Sequence, residues 1–220
     1  CPDRGGHRGY MRNRFDQQLQ TLKNGTAKMF SICENMLHEI NDCMDHDFRN
    51  YDFVDEENRV FSMGKEIEKT GMEMLIRQQP VARDLRSIST SFKMVYNGRR
   101  IATMVMDIRD IYETIEDIGT LQEIPLSEMG ELTERQLQQS VDCLVTEDPD
   151  LAMAINDDVI DGMFQEIKQH LSEKMKENPD KGGDYVNLLM IAKYFEKIGD
   201  HSVNIAENSY FAITGREMTR

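Results

Sequence analysis

The 220-residue chain has no tryptophan, five prolines and four cysteines, and too few basic residues to balance its acids. Each shortage removes options. So few prolines leave long helices free to run unbroken. Cys1, Cys33, Cys43 and Cys143 form no Cys-x-x-Cys pair, which removes the common thiolate metal and redox motifs and suits a reducing compartment. Lys and Arg total 26 against 40 Asp and Glu, a formal charge of −14. Clustered phosphate-binding cations are therefore scarce, and nucleic acid is not an expected partner. The longest apolar stretch, "VNLLMIAKYF", is too short to cross a bilayer. Residues 1–10, "CPDRGGHRGY", lack the apolar core of a secretory signal. They read as an upstream extension or expression remnant ahead of a natural start at Met11, and the expected location is cytoplasmic. There is no glycine-rich phosphate loop and no Ser/His/Asp arrangement in a recognisable context. No catalytic residue and no organic cofactor site is expected.

What the chain does have is helical pattern. Hydrophobic residues make up 39%, charged residues 30%, and sixteen methionines supply soft, unbranched core material. Phe15, Leu19, Leu22, Met29, Cys33, Met36, Leu37, Ile40 and Cys43 step by three, four or seven, one amphipathic stripe over about 11–47. A second stripe runs over 53–78 and stops at Pro80, which opens a third over 80–118. "GTLQEIPLS" is the longest break and divides the chain. Ser127 is placed to cap a fourth helix ending at 146. Asp148 with Pro149 starts a fifth that runs to 176, and Asp184 caps a sixth that ends near 215. Nothing alternates with period two. The expected fold is all-α, with six helices as two tandem three-helix bundles over 11–120 and 121–220.

The halves are similar to each other. "KEIEK" at 65–69 matches "QEIKQ" at 165–169, and "RRIATMVMDI" at 99–108 matches "EKIGDHSVNI" at 196–205, which points to duplication.

Acid-x-x-x-acid pairs mean little singly: random placement of 40 acids gives about 7 of them. The second half stands out because two such pairs fall on successive helices. "NDDVIDG" offers Asp157 and Asp161, and "FEKIGDH" offers Glu196 and Asp200. On facing helices these four carboxylates converge into an oxygen-only site for Mg²⁺, Ca²⁺, Mn²⁺ or iron. Gly199 leaves room for the site or for a neighbouring helix. Asn204 lies one turn further on and Asp158 is offset from the face, so both are weaker candidates. His201 is turned away by about 100° and reads as a surface residue. In the first half the matching positions are Arg99, Thr103, Glu57 and Phe61, with Ala102 for the glycine. A guanidinium has no acceptor and cannot ligate a metal. Arg99 has Glu57 or Asp107 as candidate ion-pair partners instead. In "QQPVARDLR", Arg83, Asp84 and Arg86 read first as the surface of a helix corner and second as partner contacts.

"QQPVARDLRSI" together with "FEKIGDHSVNIAE", in that order and at that spacing, resembles the PhoU family of phosphate-signalling regulators over residues 11–216. The resemblance implies a non-enzymatic cytoplasmic adaptor that contacts a phosphate ABC transporter ATPase and a sensor histidine kinase. It would restrain phosphate-starvation signalling as a negative regulator, reach the membrane only through its partners, and form a homodimer. It also implies that acid-x-x-x-acid pairs hold metal ions, in some members as multinuclear iron clusters. Here that implication reaches only the second half. Two other readings stand beside it: a similar domain serving a sodium–phosphate cotransporter, and a di-metal carboxylate enzyme. The missing Glu-x-x-His pairs count against the enzyme.

Overall fold

The computed structural model describes residues 4–44, 51–77 and 80–219, with 4–13 and Cys43 described by backbone course alone. Cys1, the expected end of the first helix near residue 47, and Gln78–Gln79 of the "QQPVARDLR" stretch lie outside the described residues. Seven α-helices and no strand occur among the described residues: α1 Arg4–Cys43, α2 Phe53–Arg77, α3 Ala82–Tyr112, α4 Leu126–Thr146, α5 Pro149–Ala154, α6 Asp158–Glu177 and α7 Gly182–Thr214. The all-α expectation holds, and the repeating apolar stripes are what bury. Phe15, Leu22, Met29, Cys33, Met36, Leu37 and Ile40 line the inner face of α1, all at 5% exposure or less.

α1, α2 and α3 pack on one another, α7 packs against α4, α5 and α6, and the long helices α3 and α7 lie side by side at the centre. One core cluster runs through both groups, from Phe15 to Ile205. A smaller one holds Cys143, Ala152, Ile155, Val203 and Ala206. Among the described residues no helix is long and apolar enough to cross a membrane.

Several boundaries differ from the sequence reading. α1 starts upstream of Met11, so residues 4–10 continue the helix rather than precede it. α3 stops at Tyr112 instead of near 118, and a 3-10 turn over Ile118–Glu123 follows, capped by Asp117. Ser127 lies inside α4, whose N-cap position is Pro125. The fifth helix expected over 149–176 is two helices. Asp148 does cap the first, accepting from Asp150 N at 2.9 Å. The chain then opens at Ile155, which turns into the smaller core cluster at 4% exposure. Burying that side chain costs the helix one turn. Asp184 is not a terminal cap either. It sits inside the first turn of α7, 8% exposed. Its two oxygens accept from Glu116 N and Asp117 N, each at 3.0 Å, so it fastens the segment that leaves α3.

Candidate metal centre

The break before α6 shapes the site. Asp157 occupies the N-cap position, and its carbonyl accepts from Asp161 N at 2.9 Å. That bond is the first of the helix and stacks the two carboxylates one turn apart, as an unbroken helix would have done. α7 crosses α6 here, held by Ile160 against Gly199. A β-carbon at Gly199 would stand 3.3 Å from Ile160 Cδ1, and Gln136 Nε2 donates to Gly199 O at 3.1 Å. The glycine therefore serves close helix packing rather than room for ligands.

Asp157, Asp161 and Asp200 each bring an oxygen within 4.8 Å of the other two. Glu196 lies outside that trio but close enough to raise the Asp161 pKa. The Asp161 carboxyl is pushed up first by burial, then by Asp157, Glu196 and Asp200. Its Oδ1 is buried and accepts no hydrogen bond. Burying an anionic oxygen without a partner is costly. The donor set therefore fits a hard cation: three converging carboxylates, one with an orphaned oxygen. Lysines stand at the rim. Lys197 Nζ donates to Asp200 Oδ2 at 2.6 Å and lies 3.4 Å from Glu196 Oε2. Lys193 Nζ is 2.8 Å from the same Glu196 oxygen. This is an ion pair out of hydrogen-bond alignment, since Oε2 accepts no hydrogen bond. Of the weaker candidates, Asp158 is exposed and outside the trio, and Asn204 is exposed.

His201 is indeed off the acidic face, but it is not a surface residue. It is part-buried where α3 meets α7, with Nδ1 2.7 Å from Asn97 Oδ1. The Asn97 amide nitrogen already donates to Lys93 O, so the oxygen is the acceptor and His201 Nδ1 carries the proton. Burial, then Arg100, lower the His201 pKa. Sequence periodicity excluded His201 from the acidic face; only the α3–α7 pairing reveals its contact with Asn97.

In the first half Arg99 pairs with neither Glu57 nor Asp107. Its guanidinium donates twice to Glu68, Nη1 to Oε1 at 3.0 Å and Nη2 to Oε2 at 2.9 Å, and stacks 5.7 Å from the Phe61 ring centre. Thr103 Oγ1 donates to Glu57 Oε1 at 3.2 Å. The "KEIEK" match contained the signal: Glu68 stands where the second half has Lys168, so acid and base are exchanged between the two halves. At the helix corner, Arg83 is exposed but Asp84 is 5% exposed and Arg86 is part-buried. Arg86 packs against Gly215 at the end of α7. Arg83 thus stays on the surface while its two companions are drawn into packing.

Residues 26–117 and 126–209 each match the family model described as "PhoU domain". The chain belongs to the PhoU family. It is 26% identical over 215 residues to a phosphate-specific transport system accessory protein PhoU homolog of Zymomonas mobilis subsp. mobilis, covering 96% of this chain and 91% of that one. It is also 26% identical to the homolog of Clostridium acetobutylicum, covering 94% and 97%. The crystal structure of PhoU from Pseudomonas aeruginosa superposes with a TM-score of 0.75 at 20% identity, covering 92% of this chain and 100% of that one. The phosphate transport system regulatory protein PhoU from Streptococcus pneumoniae gives 0.72 at 18% identity, covering 94% and 100%. At those identities the structures establish the PhoU fold alone.

Proposed function

We propose that this PhoU-family protein is an accessory of a phosphate transport system, working by contact rather than catalysis in the cytoplasm. It would link the transporter ATPase to a sensor histidine kinase, as a homodimer and a negative regulator of the starvation response. Family membership over most of the chain carries this reading, and the accessory role named for the relatives supports it. The long paired helices α3 and α7 supply a stiff frame on which partner helices can dock. Deleting the gene is expected to leave phosphate-responsive transcription on in phosphate-rich medium, with wild-type protein restoring repression. The restored protein is expected to co-purify with the ATPase or the kinase. Normal repression in the deletion strain, with neither partner recovered, would overturn the reading.

The two halves then divide the work. The second half would hold a metal ion on Asp157, Asp161 and Asp200, with Glu196 beside them. The orphaned Asp161 Oδ1 is the observation behind this. When bound, the ion would supply positive charge between α6 and α7 and hold them together. Iron, manganese, magnesium and calcium all suit carboxylate oxygens. Asp161→Ala with Asp200→Ala is expected to abolish metal uptake, while Arg99→Ala leaves it unchanged. Arg99→Ala should instead cost about 1 kcal/mol of stability, the worth of a partly exposed bidentate pair. Elemental analysis and urea denaturation of the three proteins decide both points. Equal metal in wild type and the double variant would reduce the acids to a solvated face.

A further inference from the structure

Each half carries a side-chain cation on its last long helix, held by carboxylates. In the first half it is Arg99, clamped by both oxygens of Glu68 and stacked on Phe61. In the second it is Lys197, on Asp200 Oδ2 at 2.6 Å and near Glu196. The two cations differ in how firmly they are held. Guanidinium is planar, donates along two parallel bonds and stacks on rings; ammonium is a point charge on a flexible stem. Lys197 is 44% exposed and Asp200 34%, so the amine has water on its outer side.

We propose that Lys197 is a resident counter-ion that a divalent cation must displace from Asp200, so that Lys197 sets how tightly this site takes up metal. The inference rests on the metal reading above. Asp200 is the only member of the trio whose carboxylate is held by Lys197. An ion bridging the trio needs the Asp200 oxygens, and an ammonium and a divalent cation cannot both sit against them without strong repulsion. The exchange is simple in charge. Two positive charges enter, and the ammonium, still protonated, swings along its stem into water. Lys193 need not move, because its partner Glu196 lies outside the trio and its own amine rests 4.7 Å from the Phe164 ring centre. The first half cannot undergo the exchange: Arg99 holds its place and Phe61 and Thr103 supply no carboxylate.

The test is titration of Mn²⁺ into chelator-treated full-length protein by calorimetry, with wild type, Lys197→Met and Lys197→Arg. Breaking a partly exposed ion pair is a modest cost, so Lys197→Met is expected to bind Mn²⁺ roughly threefold to fivefold more tightly than wild type. Lys197→Arg, which keeps the charge but holds the carboxylate bidentately, is expected to bind several-fold more weakly. Melting without metal provides an independent readout. Lys197→Met should melt below wild type when metal-free and gain more on Mn²⁺ addition. Equal affinity in all three proteins, or tightest binding in Lys197→Arg, would overturn the exchange while leaving the metal site standing. No uptake by any of them would overturn both.

Discussion

At the scale of single residues, two side chains show how neighbours change chemistry. Arg99 replaces a position that in the other half is Glu196, and its charge is taken up by Glu68 rather than by an ion. Burial and Arg100 oppose a charge on His201 more strongly than Asp200 favours it, while Lys197 adds to the opposition. Its folded pKa is below its ordinary value of 6.5, so the unfolded chain binds the extra proton first as the pH falls. Folding stability therefore declines as pH drops through about 6.5 and on through the folded pKa. Protonation leaves the Asn97 contact intact at Nδ1 but places a charge at the α3–α7 contact. His201→Gln is expected to flatten this part of the profile. Urea midpoints measured between pH 5 and 8 check it. A wild-type profile as flat as that of the variant would remove His201 from the account.

At the scale of elements, helix spacing depends on where a β-carbon is missing. Gly71 lies on α2 against α3, and a β-carbon there would stand 2.5 Å from Phe92 Cε1 and 2.8 Å from Cζ. Those are ring atoms rather than the end of a flexible chain, so the helices must separate or the ring must turn. Gly71→Ala is expected to cost about 1–3 kcal/mol, as over-packing usually does. Gly162, exposed on α6, has nothing within 4 Å of a built β-carbon. Gly162→Ala should therefore stabilise by about 0.5–1 kcal/mol through helix propensity alone. Thermal melts of the pair make the comparison, and a stabilised Gly71→Ala would show that the α2–α3 contact is looser than described.

At the scale of the whole molecule, α1 joins the two halves through an acidic contact with α4. His38 Nδ1 lies 2.9 Å from Glu134 Oε1, and Asn41 Nδ2 donates to Glu134 Oε2 at 2.8 Å. Beside them the Glu34 carboxyl is pushed up to about 7, first by burial and then by Asp142 and Glu134. A raised carboxyl keeps its proton longer in the fold than in the unfolded chain. Its contribution therefore favours folding most below its ordinary 4.5 and is lost as pH rises through about 7. Glu34→Gln is expected to stabilise the protein by about 1 kcal/mol at pH 8, after allowing for the solvent that screens a half-exposed group. The gain should vanish as pH falls through about 4.5. Chemical denaturation at pH 4.5, 6 and 8 reads the trend, and an unchanged difference across that range would rule it out.

Much was legible from residue order because helical periodicity is a local property. The apolar steps of α1 are the buried face of α1, and Asp148 with Pro149 starts a helix wherever the rest of the chain goes. The same regularity placed Asp157 with Asp161 and Glu196 with Asp200, and it excluded His201 from that face. Residue order could not say that Ile155 would leave its helix for a second cluster, because the cluster is made of residues from α4, α5 and α7. Nor could it choose Glu68 for Arg99, bury Asp84, or turn Asp184 from a helix cap into a clasp on residues 116 and 117. Each of those outcomes depends on which charge or cavity a distant helix presents. Charge partners and burial are set by contacts between helices, and those exist only once α3 and α7 have packed together. The sequence by itself determined the apolar stripes and the chemistry each helix face carries; packing decided where one stripe breaks and which faces met, and so which carboxylates share a site and which cations hold them.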